Sequence, residues 1–212
     1  MPKTVEIEGN TFVFPEAYCQ RHAHHGPKTF WWRPVNKPQA FEKEERLLLK
    51  QHIRLKDTVL ELGGFVGVTA CLINKLIDPD VRHQHVVFEV DPLYAGMLAN
   101  NGFLNHCDFR VVCGQIVEPT ARTLECFHTP KTHDVTTLGV FNTLVMDIEG
   151  AEYDFIDQNP AFFPGLHKMF IEWHKTAKAS RKSMRKQYRA KLRDMGFVMS
   201  GSVGSVDYWE RP

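Results

Sequence analysis

What this sequence lacks removes several classes of protein. The 212-residue chain has no charge-free apolar run near the roughly 18 residues that a membrane-spanning helix needs. Its opening, Met1-Pro2-Lys3-Thr4-Val5-Glu6, has no apolar stretch of the secretory type. The five cysteines (Cys19, Cys71, Cys107, Cys113, Cys126) are odd in number, scattered, and include no C-x-x-C pair. That excludes a disulfide framework and a zinc ribbon and fits a reducing, cytoplasmic setting. Neither sign of charge is in excess, since 26 Lys+Arg against 25 Asp+Glu give +1. A general electrostatic grip on nucleic acid is therefore not expected, and no sequence-specific nucleic-acid partner is predicted. Internal repeats and low-complexity tracts are also absent.

What is present is ordinary globular material, 43% hydrophobic and 24% charged. A chain of this length buries about 70% of its unfolded surface, enough for a core without disulfides or structural metal. Residues 1–57 are read as an N-terminal extension packed on the main domain and facing the acceptor. They hold a short hairpin around Val5–Ile7 and Thr11–Phe14 with Gly9-Asn10 as its turn, a His-, Pro- and Trp-rich loop, and a helix from Phe41 to His52.

From Thr58 onward strands and helices alternate. Strands are predicted at 58–62, 85–89, 109–113, 142–147 and 167–173. Helices are predicted at 68–77, 92–100, from Ala151, and from Thr176 to Met195, where Gly196 stops the chain's last helix. Two final strands flank Gly201–Gly204. Such alternation builds βαβ units, hence an α/β, doubly wound and mostly parallel sheet with an antiparallel hairpin at one edge, over residues 58–212.

The sharpest local signal is Glu61-Leu62-Gly63-Gly64-Phe65-Val66-Gly67, between a strand and a helix. Glycines there permit a tight turn and close backbone approach to a ligand, and ligands of open α/β sheets sit at the carboxyl ends of strands. The spacing is G-G-x-x-G rather than the G-x-G-x-x-G of dinucleotide sites, and a carboxylate at Glu61 would repel a pyrophosphate. It suits a cationic amino-acid group instead. Glu89, ending the second strand, has the spacing of an acid that chelates ribose hydroxyls. A ligand with a ribose, an ammonium and no phosphate is S-adenosylmethionine. Glu61, Gly63, Gly64, Phe65, Gly67 and Glu89, with Val90 and Gln115 beyond the second and third strands, make up the predicted cofactor set; Asp147 completes it.

A second cluster, Asp147-Ile148-Glu149-Gly150-Ala151-Glu152, lies where the fourth strand leaves the sheet. Acids at a helix N-terminus account for Glu152, at about 0.3–1 kcal/mol each. They account poorly for Asp147, which follows an apolar strand. At the end of the next strand, Glu172-Trp173-His174 offers an imidazole that titrates near neutral pH. Asp147, Glu149 and His174 are the candidate bases, and the Asp147/Glu149 pair also has the oxygen chemistry of a weak Mg²⁺ site.

These segments resemble the FkbM-type S-adenosylmethionine-dependent O-methyltransferases. The similarity runs through Val59–Gly67, Phe88-Glu89-Val90-Asp91-Pro92, the intact D-x-E-G-A-E element from Asp147 to Glu152, and Ile171-Glu172-Trp173-His174. One departure is Gly64-Phe65, where the family more often has Ala or Cys followed by Asn. The resemblance implies a seven-stranded methyltransferase sheet, methyl transfer to a hydroxyl, and a small-molecule or glycan acceptor; the Trp31-Trp32 pair offers stacking surface for a sugar. A Rossmann-type NAD(P) oxidoreductase and a non-catalytic binding module are the alternatives. The first usually carries Y-x-x-x-K, which no tyrosine here begins.

Two further features carry less. His22, His24 and His25 have no metal-ligand spacing. The helix 175–194 holds nine basic residues against one acid, a solvated face or a contact for an anionic partner. Its stripe of Met184, Tyr188, Leu192 and Met195 docks it on the sheet.

Overall fold

The computed structural model describes residues 3–14, 38–116, 132–175 and 180–212. Its centre is a seven-stranded sheet of β3 (Val59–Leu62), β4 (Val86–Glu89), β5 (Arg110–Cys113), β8 (Thr143–Met146), β9 (Lys168–Glu172), β10 (Val198–Val203) and β11 (Val206–Glu210). The spatial order is β10-β11-β9-β8-β3-β4-β5. The five strands from β9 to β5 are parallel, and β10 and β11 add an antiparallel hairpin at one edge. Every residue of β3, β4 and β8 is buried, as strands covered on both faces must be.

Among the described residues five α-helices accompany the sheet: α1 (Lys43–His52), α2 (Val68–Leu76), α3 (Pro92–Leu104), α4 (Glu152–Gln158) and α5 (Arg181–Asp194). One core layer joins Leu60, Leu144, Met146, Met169 and Ile171 to α4 and α5. Another joins Val59, Val145 and Phe170 to α1 and α2 through Leu48, Leu49 and Ile73. The extension thus contributes a helix to the main core. The chain runs outward from β3 to β4 and β5, then crosses back to β8 beside β3. Loops leaving β3 and β8 diverge there and open a crevice at the strands' carboxyl ends.

The hairpin of β1 (Lys3–Ile7) and β2 (Asn10–Phe14) turns one residue earlier than predicted, because Ile7 pairs with Asn10. Glu8 and Gly9 carry positive φ of 52° and 75°, a two-residue turn whose twist matches the strands. Asn10 is drawn into the strand, where its side chain accepts a hydrogen bond from Lys75. The free edge of β2 is covered by two asparagines one turn apart, Asn101 in α3 and Asn105 capping its C-terminus: Thr11 N–H donates to Asn105 Oδ1 at 2.8 Å and Val13 N–H to Asn101 Oδ1 at 2.9 Å. That duty carries α3 past its predicted end at Asn100. Two very short strands, β6 (Gln115–Ile116) and β7 (Thr132–His133), pair apart from the main sheet.

The apolar stripe of α5 docks as expected, Tyr188 and Leu192 buried with Met184 and Met195 against the same core. Its basic face is partly internal. Asp207, fully buried, accepts from Arg185 at 2.5 Å, Arg189 at 2.7 Å and the Trp173 indole at 2.7 Å. These cations hold the Asp207 carboxyl below its ordinary range against the opposing effect of burial. Two of the helix's arginines are therefore structural, and a solvated or partner-binding face would fall to the others. Among the described residues no helix is long and apolar enough to cross a membrane, and Cys71, Cys107 and Cys113 are free thiols. The three histidines at 22, 24 and 25 and the Trp31-Trp32 pair lie outside the described residues.

Candidate active site

A cavity of about 740 Å³ opens at the crevice. Leu62, Gly63 and Phe65 line it from β3 and its turn, Glu89 and Val90 from β4, and Asp147 and Glu149 from β8. Glu172 and His174 close it from β9, and Phe41, Glu42 and Glu44 from the start of α1. Five of the eight predicted cofactor residues with a describable side chain or backbone face are here: Gly63, Phe65, Glu89, Val90 and Asp147. All three predicted catalytic residues are here too. Gln115 is placed by its backbone only, in β6.

Three predicted cofactor residues lie elsewhere. Glu61 is buried and outside the cavity lining; its carboxylate accepts from Thr69 Oγ1 at 2.6 Å and meets His85 Nε2 at 3.1 Å. Side chains alternate along a strand, so while Leu62 reaches the cavity Glu61 points toward α2. It braces the sheet against the helix. Gly64 and Gly67 are also packing positions. A Cβ on Gly64 would stand 2.3 Å from the Val87 side chain, and one on Gly67 2.8 Å from Leu98. These glycines let α2 and α3 close on the sheet. Gly63 has the tightest approach of the loop: at φ 91° its absent Cβ would fall 1.7 Å from the Asp147 carbonyl oxygen. The β3 turn and the β8 strand end can meet only because nothing projects there.

Glu89 organises the turn. Its two oxygens accept from Phe65 N–H at 2.8 Å and Asp91 N–H at 2.9 Å. Phe65 is held at φ 45°, a region that Asn tolerates and an aromatic adopts at a cost of order 1 kcal/mol or more. This is the position where the resembled family favours Asn. Burial raises the Glu89 carboxyl above its ordinary range, against the backbone N–H groups that lower it. Each oxygen retains lone-pair capacity toward the cavity.

On the opposite wall His174 sits among carboxylates. Its Nδ1 is 2.9 Å from Glu152 Oε1, while Nε2 lies 3.7 Å from Asp147 and 3.6 Å from Glu149. Burial pulls its pKa down, but the Glu152 hydrogen bond and the charges of Asp147, Glu152 and Glu149 outweigh that and bring it to about 9. His174 is thus an imidazolium at neutral pH, a correction to its predicted role as a base there. Glu152 is more than a helix-terminal acid. Wholly buried, it accepts from the N–H groups of Gly150 at 3.1 Å and Ile148 at 3.3 Å and fixes the His174 ring.

Behind Asp147 lies a group the sequence did not disclose. Glu45 of α1, Asp147 and Glu172 bring one oxygen each to within 4.8 Å of one another, and Asp147, Glu149 and His174 form a second such group. Burial, reinforced by Glu45 and Glu172, raises the Asp147 carboxyl well above its ordinary range. Burial likewise raises Glu42 and Glu45. Among the described residues, eight carboxylates line the cavity and no Lys or Arg does. Such a wall favours cations and neutral polar groups and repels phosphates.

No protein-family model matches the chain, and no curated protein matches it. Solved structures do match in fold. A Klebsiella pneumoniae protein assigned as an O-methyltransferase superposes with a TM-score of 0.54 at 12% identity, over 79% of this chain and 80% of that one. M. jannaschii TYW2, solved in complex with AdoMet, gives 0.51 at 14% identity over 100% and 87%. The ribosomal protein L11 methylase of Lactobacillus delbrueckii subsp. bulgaricus gives 0.52 at 13% over 79% and 77%. At these identities the likeness concerns the fold alone: the chain shares with these structures a Rossmann-like seven-stranded α/β sheet.

Proposed function

We propose that this chain is a methyltransferase of the FkbM type, moving a methyl group from S-adenosylmethionine to a hydroxyl of a phosphate-free acceptor, with a sugar or glycan as the preferred class. The observation that carries the reading is Glu89. Its carboxylate is anchored by the Phe65 and Asp91 N–H groups at the carboxyl end of β4, facing the cavity across from Asp147 and His174. A ribose on Glu89 leaves the rest of the cofactor to extend past Gly63 toward Asp147. The sulfonium carries a positive charge, which this acidic cavity favours. A dinucleotide would bring a pyrophosphate against the same carboxylates, which disfavours the oxidoreductase alternative.

In the reaction the acceptor oxygen forms a bond to the methyl carbon as the S–C bond breaks, releasing a neutral thioether and a proton. Holding the two reactants in line supplies several kcal/mol. The proton needs a base, and Asp147 is the choice. Its raised pKa makes it a stronger proton acceptor than an ordinary carboxylate, and it lies beside the His174 imidazolium, which can orient an acceptor oxygen by donating Nε2–H. Glu149, on the exposed side of the same ring, is the alternate base.

Calorimetric titration with S-adenosylmethionine, S-adenosylhomocysteine and NAD tests the cofactor. Binding of the first two and none of NAD is expected, and tight NAD binding without them overturns the reading. Transfer of labelled methyl to a panel of hydroxyl acceptors tests the reaction. Cofactor binding without turnover on any extract would leave a binding module.

A further inference from the structure

We propose that Glu45, Asp147 and Glu172 form a binding site for one hard divalent cation, of the Mg²⁺, Mn²⁺ or Ca²⁺ class, at the inner end of the cavity. The three side chains come from α1, the end of β8 and the end of β9, segments that meet only in the folded chain. Their oxygens lie within 4.8 Å of one another. A cation with metal–oxygen distances of about 2.0–2.6 Å holds opposite ligands roughly 4–5 Å apart, so the triplet already has the span of a coordination shell.

Glu45 points most directly to an ion. It is only 2% exposed and, among the described residues, makes no hydrogen bond or ion pair. Among the described residues the charges that act on it most are negative, namely Glu42, Glu172 and Glu61. A buried ionised carboxylate without a partner costs several kcal/mol, so a merely structural residue at this site would be apolar. Two neighbouring oxygens, Asp147 Oδ1 and Glu42 Oε2, are buried and accept no hydrogen bond, although Asp147 Oδ1 stands 3.7 Å from His174 Nε2. Arg46 is turned elsewhere, pairing with Glu8 and with the Phe41 and Gln39 carbonyls. His174 gives Nδ1 to Glu152 and stands with Nε2 at 3.7 Å from Asp147 and 3.9 Å from Glu172, which also accepts from Ser205 Oγ at 2.7 Å; neither cation reaches Glu45.

The donor set also selects the ion. Three carboxylate oxygens and no sulfur suit hard cations, and three negative charges favour a divalent over an alkali ion. The Asp147–Glu149–His174 group is the weaker competitor, because Glu149 is 62% exposed and solvated. The metal alone is the probe, so the assignment is tested apart from the methyl-transfer reading; an ion held by Asp147 would pass the role of base to Glu149.

The test uses metal-stripped full-length protein, with Mn²⁺ binding read by electron paramagnetic resonance and thermal melting read with EDTA, Mg²⁺, Ca²⁺ or Mn²⁺. One bound Mn²⁺ per chain is expected. Saturating metal should raise the melting temperature by about 5–10 °C, the shift for a ligand near a hundredfold above its dissociation constant. Glu45→Gln should melt higher than wild type without metal, because it removes an unpaired buried charge. It should lose Mn²⁺ affinity by more than about 100-fold, beyond what outer-shell changes cost. Glu172→Gln, at a partly exposed site, should lose it equally and decides the matter should Glu45→Gln not fold. Glu149→Gln should keep binding. The proposal is overturned by no Mn²⁺ binding at millimolar concentration, by wild-type affinity in Glu172→Gln, or by loss in Glu149→Gln alone.

Discussion

Replacing Glu152 by glutamine isolates the control that buried carboxylates exert on His174. The substitution is close to isosteric and the geometry favours it. Glu152 Oε1 accepts from Gly150 N–H, Ile148 N–H and His174 Nδ1, while Oε2 is buried with no hydrogen-bond partner. A glutamine can keep its carbonyl oxygen at the first position and its amide at the second, so the loop stays while the charge goes. A charge-assisted hydrogen bond is worth about 1.5–3 kcal/mol, which is about 1–2 pKa units. The imidazole, at about 9 in the wild type, should then titrate between about 7 and 8, still held up by Asp147 and Glu149. Because the folded-state pKa lies above the ordinary 6.5, the stabilisation it brings is complete below about 6.5 and lost as pH rises through 9. For the wild type that loss is at most on the order of 3 kcal/mol. The variant should lose less, and at lower pH. Histidine NMR titration and urea unfolding from pH 6 to about 10, in chelator, read both quantities. Identical titration midpoints in wild type and variant would refute the electrostatic account of this corner.

Four other outcomes follow from the same geometry. Glu89→Gln should weaken S-adenosylmethionine binding by roughly 10–150-fold while the chain stays folded; unchanged affinity by calorimetry removes Glu89 from the ribose. Gly67→Ala should cost about 1–3 kcal/mol of stability by crowding Leu98, with cofactor affinity of the folded fraction intact, and a selective loss of affinity would return the glycine to the ligand. Asp147→Asn should lower kcat by about 10²–10⁴-fold at nearly constant cofactor affinity; turnover per folded molecule near wild type rules it out as the base. Asp207→Asn should cost about 3–5 kcal/mol by leaving Arg185 and Arg189 beside an uncharged partner, measured by urea unfolding, and a neutral result would mean the arginines are fully hydrated.

Much of the sheet was legible because its strands are short apolar runs such as Val86-Val87-Phe88 and Leu144-Val145-Met146, each bounded by turn residues. The Asp147–Glu152 element was legible for the opposite reason, being acid-rich where an apolar strand ends. What escaped notice depends on contacts between distant segments. Glu45 looks like a solvent-facing acid in the first turn of an amphipathic helix, and only the docking of α1 buries it beside Glu172. Glu61 looks like a ligand contact by its place in the motif, yet strand alternation turns it to Thr69 and His85. Gly64 and Gly67 match a phosphate- or cofactor-type loop in sequence, but the atoms that exclude a side chain there belong to Val87 and Leu98. The turn of the first hairpin falls one residue earlier, with Asn10 paired to Ile7 and bonded to Lys75, 65 positions away, a contact no local pattern announces.

A crystal structure of the chain soaked or grown with S-adenosylhomocysteine tests the central claim most directly. The account predicts the ribose hydroxyls on the Glu89 carboxylate, the amino-acid end beside Gly63, and the sulfur facing Asp147 and His174 across the space left for an acceptor. A nucleoside bound away from Glu89, or a sulfur pointing away from Asp147, would contradict it.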